Sequence, residues 1–270
     1  MGLDLNDLIP RRMVLTLPGM EDTEVRKDIP YKSTDQGALL LDIYLPRDVG
    51  NQPLPAVMLV SGNAAPELMR DAKDWGSYVS AGQLLAASGM IGVSFNKRTW
   101  QDLDGLEEAA TDVEDAIDYV RAHAADLGVD PDRMALWVFS AGPPAGLRHA
   151  LRDTPPYLRC LVVYYGVMDL RQSAEGAEEE HRLPAFSPVT YLERNAGAMP
   201  RMLLVRAGQD NPRLNDTVDR FVTGALKHNA PLELINFPVG HHAFDILDDV
   251  PQSRRILART LSFLAEHLKS

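Results

Sequence analysis

Ser140 has a sequence setting suited to chemistry, because an apolar run ends on its hydroxyl. Residues 136–139 (LWVF) predict a buried strand, and Ser140 is followed by Ala141, Gly142 and two prolines, which suit a tight turn and a helix start. The stretch VFSAG approximates G-x-S-x-G, in which a strained strand-to-helix turn exposes a nucleophilic serine. The alternative is an ordinary strand-to-helix connection that contains a serine. Ser-Ala-Gly recurs at 80–82, but within a predicted helix with no strand before it.

A serine nucleophile needs a base, and two adjacent histidines follow a predicted strand. Strand 232–237 leads into the loop 238–244 (PVGHHAF), which carries His241 and His242. This is where the last strand of such a sheet would deliver a base, and by this argument either imidazole could serve. A metal site formed by the pair and Asp245 is the alternative, although adjacent histidines in a loop rarely point the same way.

Two aspartates satisfy the chain order of serine, acid and histidine that this chemistry uses in α/β sheets. Asp210 follows the predicted strand 202–206, and Asp169 follows the strand before it. Asp210 is favoured because its strand immediately precedes the one that carries the histidines. Alternatively, Asp210 forms a turn or caps the helix that begins near Leu214.

Backbone N–H groups that could bind an oxyanion are predicted at two places. The first is the N–H of Ala141, directly after the serine. The second is the loop after strand 56–60, where glycine lets the backbone approach a ligand, so the N–H groups of Gly62 and Asn63 are candidates. The plainer interpretation of that loop is a strand-to-loop turn.

These residues need a sheet that brings strand ends together, and the patterning predicts one. Short apolar runs alternate with helical patterns, which indicates an α/β fold with a mostly parallel central sheet and helices on both faces. Ligands bind at the carboxyl ends of the strands in such sheets. The clearest helix has an apolar stripe from Leu106 to Leu127 and ends at Gly128. The predicted strands are 25–32, 38–45 (an antiparallel pair), 56–60, 91–95, 133–139, 158–165, 202–206 and 232–237, and two further helices are 214–227 and 252–268.

The alternation is interrupted between residues 166 and 200, which we interpret as a small lid-like insertion in a single domain of residues 1–270. Its acidic stretch 173–181 predicts a solvated face. Several large apolar side chains are candidates for a substrate pocket, although most aromatic residues in any chain belong to the core. They are Trp100, Phe139, Met168, Phe186, Tyr191 and Phe244.

The composition argues against several partners and settings. A net charge of −11 without a basic patch argues against nucleic acid. No apolar run approaches the roughly 18 residues of a membrane span. We expect the single cysteine, Cys160, to be a buried apolar side chain, which fits a reducing, cytoplasmic setting. Residues 1–17 show no secretory signal pattern, no metal is expected, and the sequence leaves a homodimer open.

Together these residues resemble the α/β-hydrolase superfamily, near its dienelactone-hydrolase-like and carboxylesterase-like branches. The resemblance spans nearly the whole chain and rests on VFSAG around Ser140, RAGQDN around Asp210, GHHAFD around His242 and VSGNA at the first oxyanion loop. It implies a Ser140–Asp210–His242 triad without a cofactor, because the base of relatives precedes a small residue and a phenylalanine. Ser61 stands where relatives usually carry a histidine, and Val138 replaces the first glycine of the serine turn.

The resemblance implies a carboxylic ester hydrolase that acts on small-molecule esters of small or medium acyl chains through an acyl-enzyme on Ser140. Two other interpretations stay open. One is an α/β-hydrolase-fold binding protein without catalysis, which Val138 and Ser61 favour, although a complete serine, acid and histidine argue against it. The other is a peptidase or acyltransferase that uses the same three residues.

Overall fold

An eight-stranded, mostly parallel sheet forms the centre of the protein. The computed structural model describes residues 7–47 and 52–269. The strands are β1 (Glu24–Thr34), β2 (Gly37–Leu45), β3 (Leu54–Val60), β4 (Ile91–Phe95), β5 (Val129–Phe139), β6 (Leu158–Tyr164), β7 (Arg201–Ala207) and β8 (Leu232–Phe237). They lie in the order β1-β2-β4-β3-β5-β6-β7-β8. The β1/β2 and β2/β4 pairs are antiparallel, and the other neighbours are parallel.

The central strands are apolar on both faces because helices cover both faces of the sheet. In β5 the side chains of Met134, Leu136 and Val138 join one hydrophobic cluster, whereas those of Trp137 and Phe139 join another. This alternation follows from the period of two in a strand and splits the core into two layers. All five side chains are buried, so β5 is held from both sides up to its last residue.

The helices that flank the sheet are α1 (Pro66–Met69), α2 (Gly76–Ala87), α3 (Leu103–Ala122), α4 (Ala124–Leu127), α5 (Pro143–Gly146), α6 (Arg148–Arg152), α7 (Ala177–Arg182), α8 (Leu192–Asn195), α9 (Pro212–Lys227), α10 (Phe244–Leu247) and α11 (Pro251–Leu268). The stripe predicted as one helix is divided between α3 and α4, which meet at His123. Gly128 follows α4 at φ 72°, in the left-handed conformation that glycine adopts readily at a helix end.

Residues 166–200 form short helices and turns beside the sheet. They comprise α7, α8 and 3-10 turns at Arg171–Ser173, Leu183–Phe186 and Pro188–Tyr191. Leu183 and Phe186 pack with Leu106 of α3 and Ala145 of α5 in one hydrophobic cluster. The segment predicted as a lid therefore packs on the helices next to the serine turn.

Cys160, in β6, is fully buried, and burial raises the pKa of its thiol to about 12. Its side chain therefore behaves as the buried apolar group that the sequence predicts. Within the described ranges, no helix is long and apolar enough to cross a membrane. The prediction that a secretory signal is absent falls partly on residues 1–6, which lie outside the described residues.

Candidate active site

The carboxyl ends of the parallel strands form one rim of the sheet, and the candidate residues follow them directly. The register of β3 on β5 sets Val60 opposite Val138, and that of β5 on β6 sets Phe139 opposite Tyr164. The strand ends therefore lie side by side. Residues one to three positions beyond these ends can meet although they are far apart in the chain.

Ser140 sits on a sharp turn between β5 and α5. Its φ is +55°, a left-handed conformation that costs a residue with a side chain about 1–3 kcal/mol. Three backbone hydrogen bonds hold the turn: the Ser140 N–H donates to Tyr164 O at 3.1 Å, the Gly142 N–H to Phe139 O at 2.8 Å, and the Val167 N–H to Ser140 O at 2.9 Å. This is the geometry that exposes a serine hydroxyl at the end of a strand.

Gly142 makes this turn possible because the backbone is crowded around it. A Cβ at this position would lie 2.8 Å from both Phe139 O and Ser61 O, and 2.9 Å from Cγ1 of Val138. A Cβ at Gly146 would lie 3.4 Å from the same Val138 methyl group. The β-branched Val138 is thus accommodated because its neighbours on the following turn have no side chains.

Ser140, His242 and Asp210 form a continuous chain of hydrogen bonds. The Ser140 Oγ lies 2.9 Å from Nε2 of His242, and His242 Nδ1 lies 2.6 Å from Oδ2 of Asp210. The Asp210 side chain is 4% exposed and that of His242 is 38% exposed. Asp210 Oδ1 also accepts a hydrogen bond from the Asn211 N–H at 2.6 Å, so the predicted turn role and the contact with histidine coexist. The helix cap belongs to Asn211, whose side chain accepts from the Arg213 N–H.

The imidazole of His242 is also held from its side. The ring of Tyr165 lies 4.5 Å from the His242 ring, and the Tyr165 hydroxyl donates to Asp245 Oδ1 at 2.6 Å. Ala243, the next residue, has φ +60°, so the chain turns sharply after the histidine. These contacts orient the ring of His242 toward the rim of the sheet.

The neighbouring His241 is directed to a different carboxylate. Its Nδ1 lies 3.0 Å from Oδ1 of Asp248, and its backbone N–H donates to the other oxygen of the same carboxylate at 2.9 Å. The two adjacent imidazoles thus have separate acidic partners, Asp248 and Asp210. The alternative of a metal site shared by the pair finds no support in this arrangement.

Asp169, the second candidate acid, forms ion pairs with two arginines. Its carboxylate accepts hydrogen bonds from Arg171 at 2.9 and 3.0 Å and from Arg220 at 2.8 Å. Burial raises the pKa of this carboxyl, but the two arginines outweigh burial and leave it below its ordinary value. The structure therefore brings Asp210, and not Asp169, to the histidine.

The predicted oxyanion donors lie at the ends of β3 and β5. A Cβ on Gly62 would lie 3.1 Å from the Ser140 Cβ, so glycine lets this loop approach the serine closely. Among the described residues, the N–H groups of Ala141 and Asn63 have no hydrogen-bond acceptor. The Gly62 N–H is directed at the hydroxyl of Tyr78 at 3.4 Å.

Buried polar contacts support the loop after β3 from behind. The Lys97 Nζ donates to the carbonyl oxygen of Gly62 at 3.0 Å, and burial lowers the pKa of this lysine to about 8. The Asn63 side chain holds the backbone of Trp100 through two hydrogen bonds of 2.8 and 3.0 Å. Ser61, which differs from the residue common in relatives, is buried, and in the described part of the chain its hydroxyl has no partner. The loop is therefore fixed by Lys97 and Asn63 rather than by Ser61.

A pocket of about 110 Å³ opens beside Ser140 and His242. Its walls come from the loop after β3, from α1 and α2, from the ends of β5 and β6 and from the segment after His242. The largest side chains that line it are Met69, Trp75, Tyr78, Phe139, Tyr165 and Ile246. The site is therefore largely apolar around the serine.

Of the six side chains predicted for the pocket, only Phe139 lines it; the prediction was wrong for Trp100, Met168, Phe186, Tyr191 and Phe244. Met168 and Phe244 are fully buried in the two core layers, and Phe186 packs between the insertion and α3. Tyr191 is tied to the insertion by a hydrogen bond from its hydroxyl to Ala185 O. No residue of 166–200 lines this pocket, so the insertion does not cover it.

Asp245 also lines the pocket, although it is only 1% exposed. Burial raises the pKa of its carboxyl from 3.8 to about 6, against the opposing effect of the hydrogen bond from Tyr165. Between these two values the folded protein binds more protons at this site than the unfolded chain does. The protonated Asp245 carboxyl therefore contributes to the stability of the folded protein at low pH, and this contribution is lost as the pH rises from 3.8 through about 6.

We expect Asp245→Asn to be more stable than the wild type at pH 8, because a neutral amide can accept the same Tyr165 hydrogen bond. A shift of roughly two pKa units corresponds to about 3 kcal/mol at full ionisation. In urea titrations, the increase in the free energy of unfolding of Asp245→Asn over the wild type should be about 2 kcal/mol larger at pH 8 than at pH 4.5. The control is Asp118→Asn, which makes the same change of side chain on the exposed face of α3, outside the pocket. A gain for Asp245→Asn that is the same at both pH values would contradict this assignment.

The strand order and the serine turn after β5 define the α/β-hydrolase fold, which confirms the fold class and the superfamily resemblance identified from the sequence. A solved structure with the same fold is the esterase Est2 of the Planctomycetes species Thermogutta terrifontis. It superimposes with a TM-score of 0.72 at 22% identity, over 92% of this chain and 94% of Est2. Est2 has also been solved with propionate or butyrate bound and phosphonylated by sarin.

Sequence comparisons also identify esterase relatives. Residues 41–154 match the family model BD-FAE, which is less than half of the chain. The chain is 29% identical over 184 residues to esterase LipQ of Mycobacterium tuberculosis, a match that covers 57% of this chain and 42% of LipQ. It is 34% identical over 118 residues to the probable isoprenylcysteine alpha-carbonyl methylesterase ICMEL1 of Arabidopsis thaliana, over 44% of this chain and 23% of ICMEL1. The chain thus spans less than half the length of these relatives.

Proposed function

We propose that this protein is a serine esterase that hydrolyses carboxylic esters with Ser140 as nucleophile. The observation that carries the proposal is the hydrogen-bond chain from Ser140 Oγ through His242 to the buried Asp210. A hydroxyl, an imidazole and a carboxylate in this sequence of contacts are what an acyl-transfer mechanism needs. The esterase names of the relatives and of Est2 support the same activity.

In this mechanism, Nε2 of His242 removes the proton of Ser140 as Oγ attacks the ester carbonyl carbon. Asp210 accepts the hydrogen bond from Nδ1 and stabilises the imidazolium, which then protonates the leaving alcohol. Backbone N–H groups of Ala141 and of Gly62 or Asn63 bind the oxyanion. Water, deprotonated by His242, then attacks the acyl-enzyme, and the His242 imidazolium returns the proton to Ser140 Oγ as the acid is released. No cofactor takes part in any of these steps.

The pocket favours a small acyl group. Its volume of about 110 Å³ is below the roughly 300–1,000 Å³ common for ligand sites, and its walls are mainly apolar. Est2, of the same fold, has been solved with propionate and with butyrate. We therefore infer a preference for short acyl chains over long ones. A single domain, a cytoplasmic location and a homodimer stay predictions from the sequence.

The proposal is tested with a fluorophosphonate probe and with p-nitrophenyl esters of increasing chain length. We expect phosphonylation of Ser140, located by peptide mass spectrometry, and turnover that is highest for acetate to butyrate. The matched control is Ser80→Ala, which removes the serine of the second Ser-Ala-Gly sequence and should keep both labelling and turnover. Ser140→Ala should lose the label.

The other candidate activities give different results in the same experiment. A peptidase would also cleave short peptide amides. An acyltransferase would form the transfer product when an alcohol acceptor competes with water. The absence of both labelling and ester turnover in the wild type would overturn the proposal in favour of a binding protein without catalysis.

A further inference from the structure

The hydroxyl of Tyr78 lies beside the predicted oxyanion loop, although Tyr78 belongs to α2 and not to a strand end. We propose that Tyr78 is a catalytic residue whose hydroxyl donates a hydrogen bond to the oxyanion, in addition to the backbone N–H groups. This inference rests on the proposed esterase function and adds a side-chain donor to it.

The position of the Tyr78 hydroxyl is well defined. The residue is 7% exposed and lines the same pocket as Ser140. Its ring packs edge-on against Phe139 at 5.6 Å between centroids and lies 6.3 Å from the ring of Trp75. Its Oη then lies 3.4 Å from the backbone nitrogen of Gly62. A buried ring with two aromatic neighbours has little freedom to move, so the hydroxyl is preorganised.

The hydroxyl has a proton available for a ligand. Its oxygen accepts the hydrogen bond from the Gly62 N–H, and across residues 7–47 and 52–269 no acceptor is within reach of its own O–H. Burial raises the pKa of the Tyr78 phenol, so it remains protonated at neutral pH. A buried donor without an acceptor is costly in a folded protein, and a substrate oxygen in the pocket would remove that cost.

The distances allow two donors to share one oxygen. An oxyanion hole requires donors at roughly 2.7–3.1 Å from the developing charge. An oxygen that lies about 2.8 Å from both the Gly62 nitrogen and the Tyr78 Oη is compatible with their separation of 3.4 Å. When the carbonyl oxygen enters, the Gly62 N–H transfers its hydrogen bond from Tyr78 to this oxygen. Tyr78 then rotates its O–H toward the same atom.

The neighbouring polar side chains do not compete for this role. The amide of Asn63 is occupied by the backbone of Trp100, and the amine of Lys97 by the carbonyl oxygen of Gly62. The Ser61 hydroxyl also has no partner among the described residues, but Ser61 does not line the pocket, whereas Tyr78 does.

The experiment uses Tyr78→Phe in the full chain and two ketones with the same short alkyl chain. A trifluoromethyl ketone accepts Ser140 Oγ at its carbonyl carbon, the serine proton passes to His242, and the carbonyl oxygen becomes an oxyanion. The matching methyl ketone binds without this addition. We expect kcat for p-nitrophenyl butyrate to fall about 10²-fold with KM unchanged. Inhibition by the trifluoromethyl ketone should weaken by a similar factor, and inhibition by the methyl ketone should not.

Tyr44→Phe is the matched control, because Tyr44 is a buried tyrosine of β2 outside the pocket whose hydroxyl has no partner among the described residues. It should leave kcat and both inhibition constants unchanged. A Tyr78→Phe enzyme with unchanged kcat would overturn the proposal, as would equal weakening of both ketones, which indicates a pocket wall and not a donor. In either case an active wild type would leave the esterase function standing. A wild type without ester turnover would overturn both.

Discussion

Replacing Ser140 with alanine is expected to lower kcat for a short-chain p-nitrophenyl ester by about 10⁶-fold. The variant lacks the atom that forms the acyl-enzyme, and His242 Nε2 loses its partner at 2.9 Å. The residual rate is what substrate binding and the oxyanion donors supply without a nucleophile. The measurement is the release of p-nitrophenol, corrected for spontaneous hydrolysis. A urea titration checks that the variant is folded.

Ser80→Ala is the control for this prediction. Ser80 lies within α2, where its hydroxyl donates to Gly76 O at 2.6 Å and accepts from the Met13 N–H at 2.9 Å. Its loss should lower stability by about 1 kcal/mol and leave kcat within about twofold of the wild type. Equal turnover by Ser140→Ala and the wild type would show that hydrolysis occurs elsewhere on the protein.

The second large effect is expected for His242→Ala, which should also lower kcat by about 10⁶-fold. Without the imidazole, the Ser140 hydroxyl has no base to accept its proton, and the leaving alcohol has no acid to protonate it. Asp210 cannot substitute, because in the structure it reaches the serine only through His242. The same ester assay measures the effect, together with the rate of fluorophosphonate labelling, which should fall in parallel.

The adjacent histidine provides the matched control. His241→Ala removes an imidazole that is 63% exposed and paired with Asp248, so we expect less than a tenfold reduction in kcat. Loss of activity in His241→Ala with retention in His242→Ala would mean that the loop rearranges when substrate binds. The assignment of the base to His242 would then be wrong.

The two departures from the family pattern have different structural outcomes. In the sequence, Val138 favoured the interpretation that the protein binds a ligand without catalysis, because a β-branched side chain should crowd the serine turn. The turn nevertheless forms, since Gly142 and Gly146 leave room for the Cγ1 methyl group of Val138. At Ser61 the loop is supported by other residues, of which Lys97 contacts the carbonyl oxygen of Gly62 directly. Neither departure therefore prevents the geometry of an active site.

The strand pattern was predictable from the sequence because strands buried on both faces are apolar whatever their neighbours are. The bounds of β4 and β8 are those predicted, and the ends of β3 and β5 at Val60 and Phe139 are also those predicted. Strand β5 begins at Val129, earlier than the predicted start at residue 133. Residues 129–132 (VDPD) do not look like a strand in the sequence, because a proline and two aspartates are typical of turns. Tertiary pairing with Leu54 of β3 extends the strand through them.

The chain order of the serine, acid and histidine also follows from the sequence. Each of the three follows a predicted parallel strand, and the carboxyl ends of such strands meet at one rim. Composition and spacing thus determined the class of fold, the serine turn and the set of candidate groups. Both Asp169 and Asp210 satisfy the order, and the sequence favoured Asp210 because its strand immediately precedes the one that carries the histidines. The structure separates them by partners: Asp169 pairs with Arg171 and Arg220, and Asp210 pairs with His242.

Only the tertiary structure decided which side chains surround the serine. Tyr78 and Trp75 were not among the predicted pocket residues. The start of α2 lies at the rim because of tertiary packing, and the local sequence pattern does not indicate that packing. Five predicted pocket residues lie elsewhere for the same reason: a large apolar side chain looks alike in sequence whether it fills a core or lines a cavity. Periodicity encodes which face of an element is buried, whereas the direction of one side chain depends on contacts between residues distant in the chain.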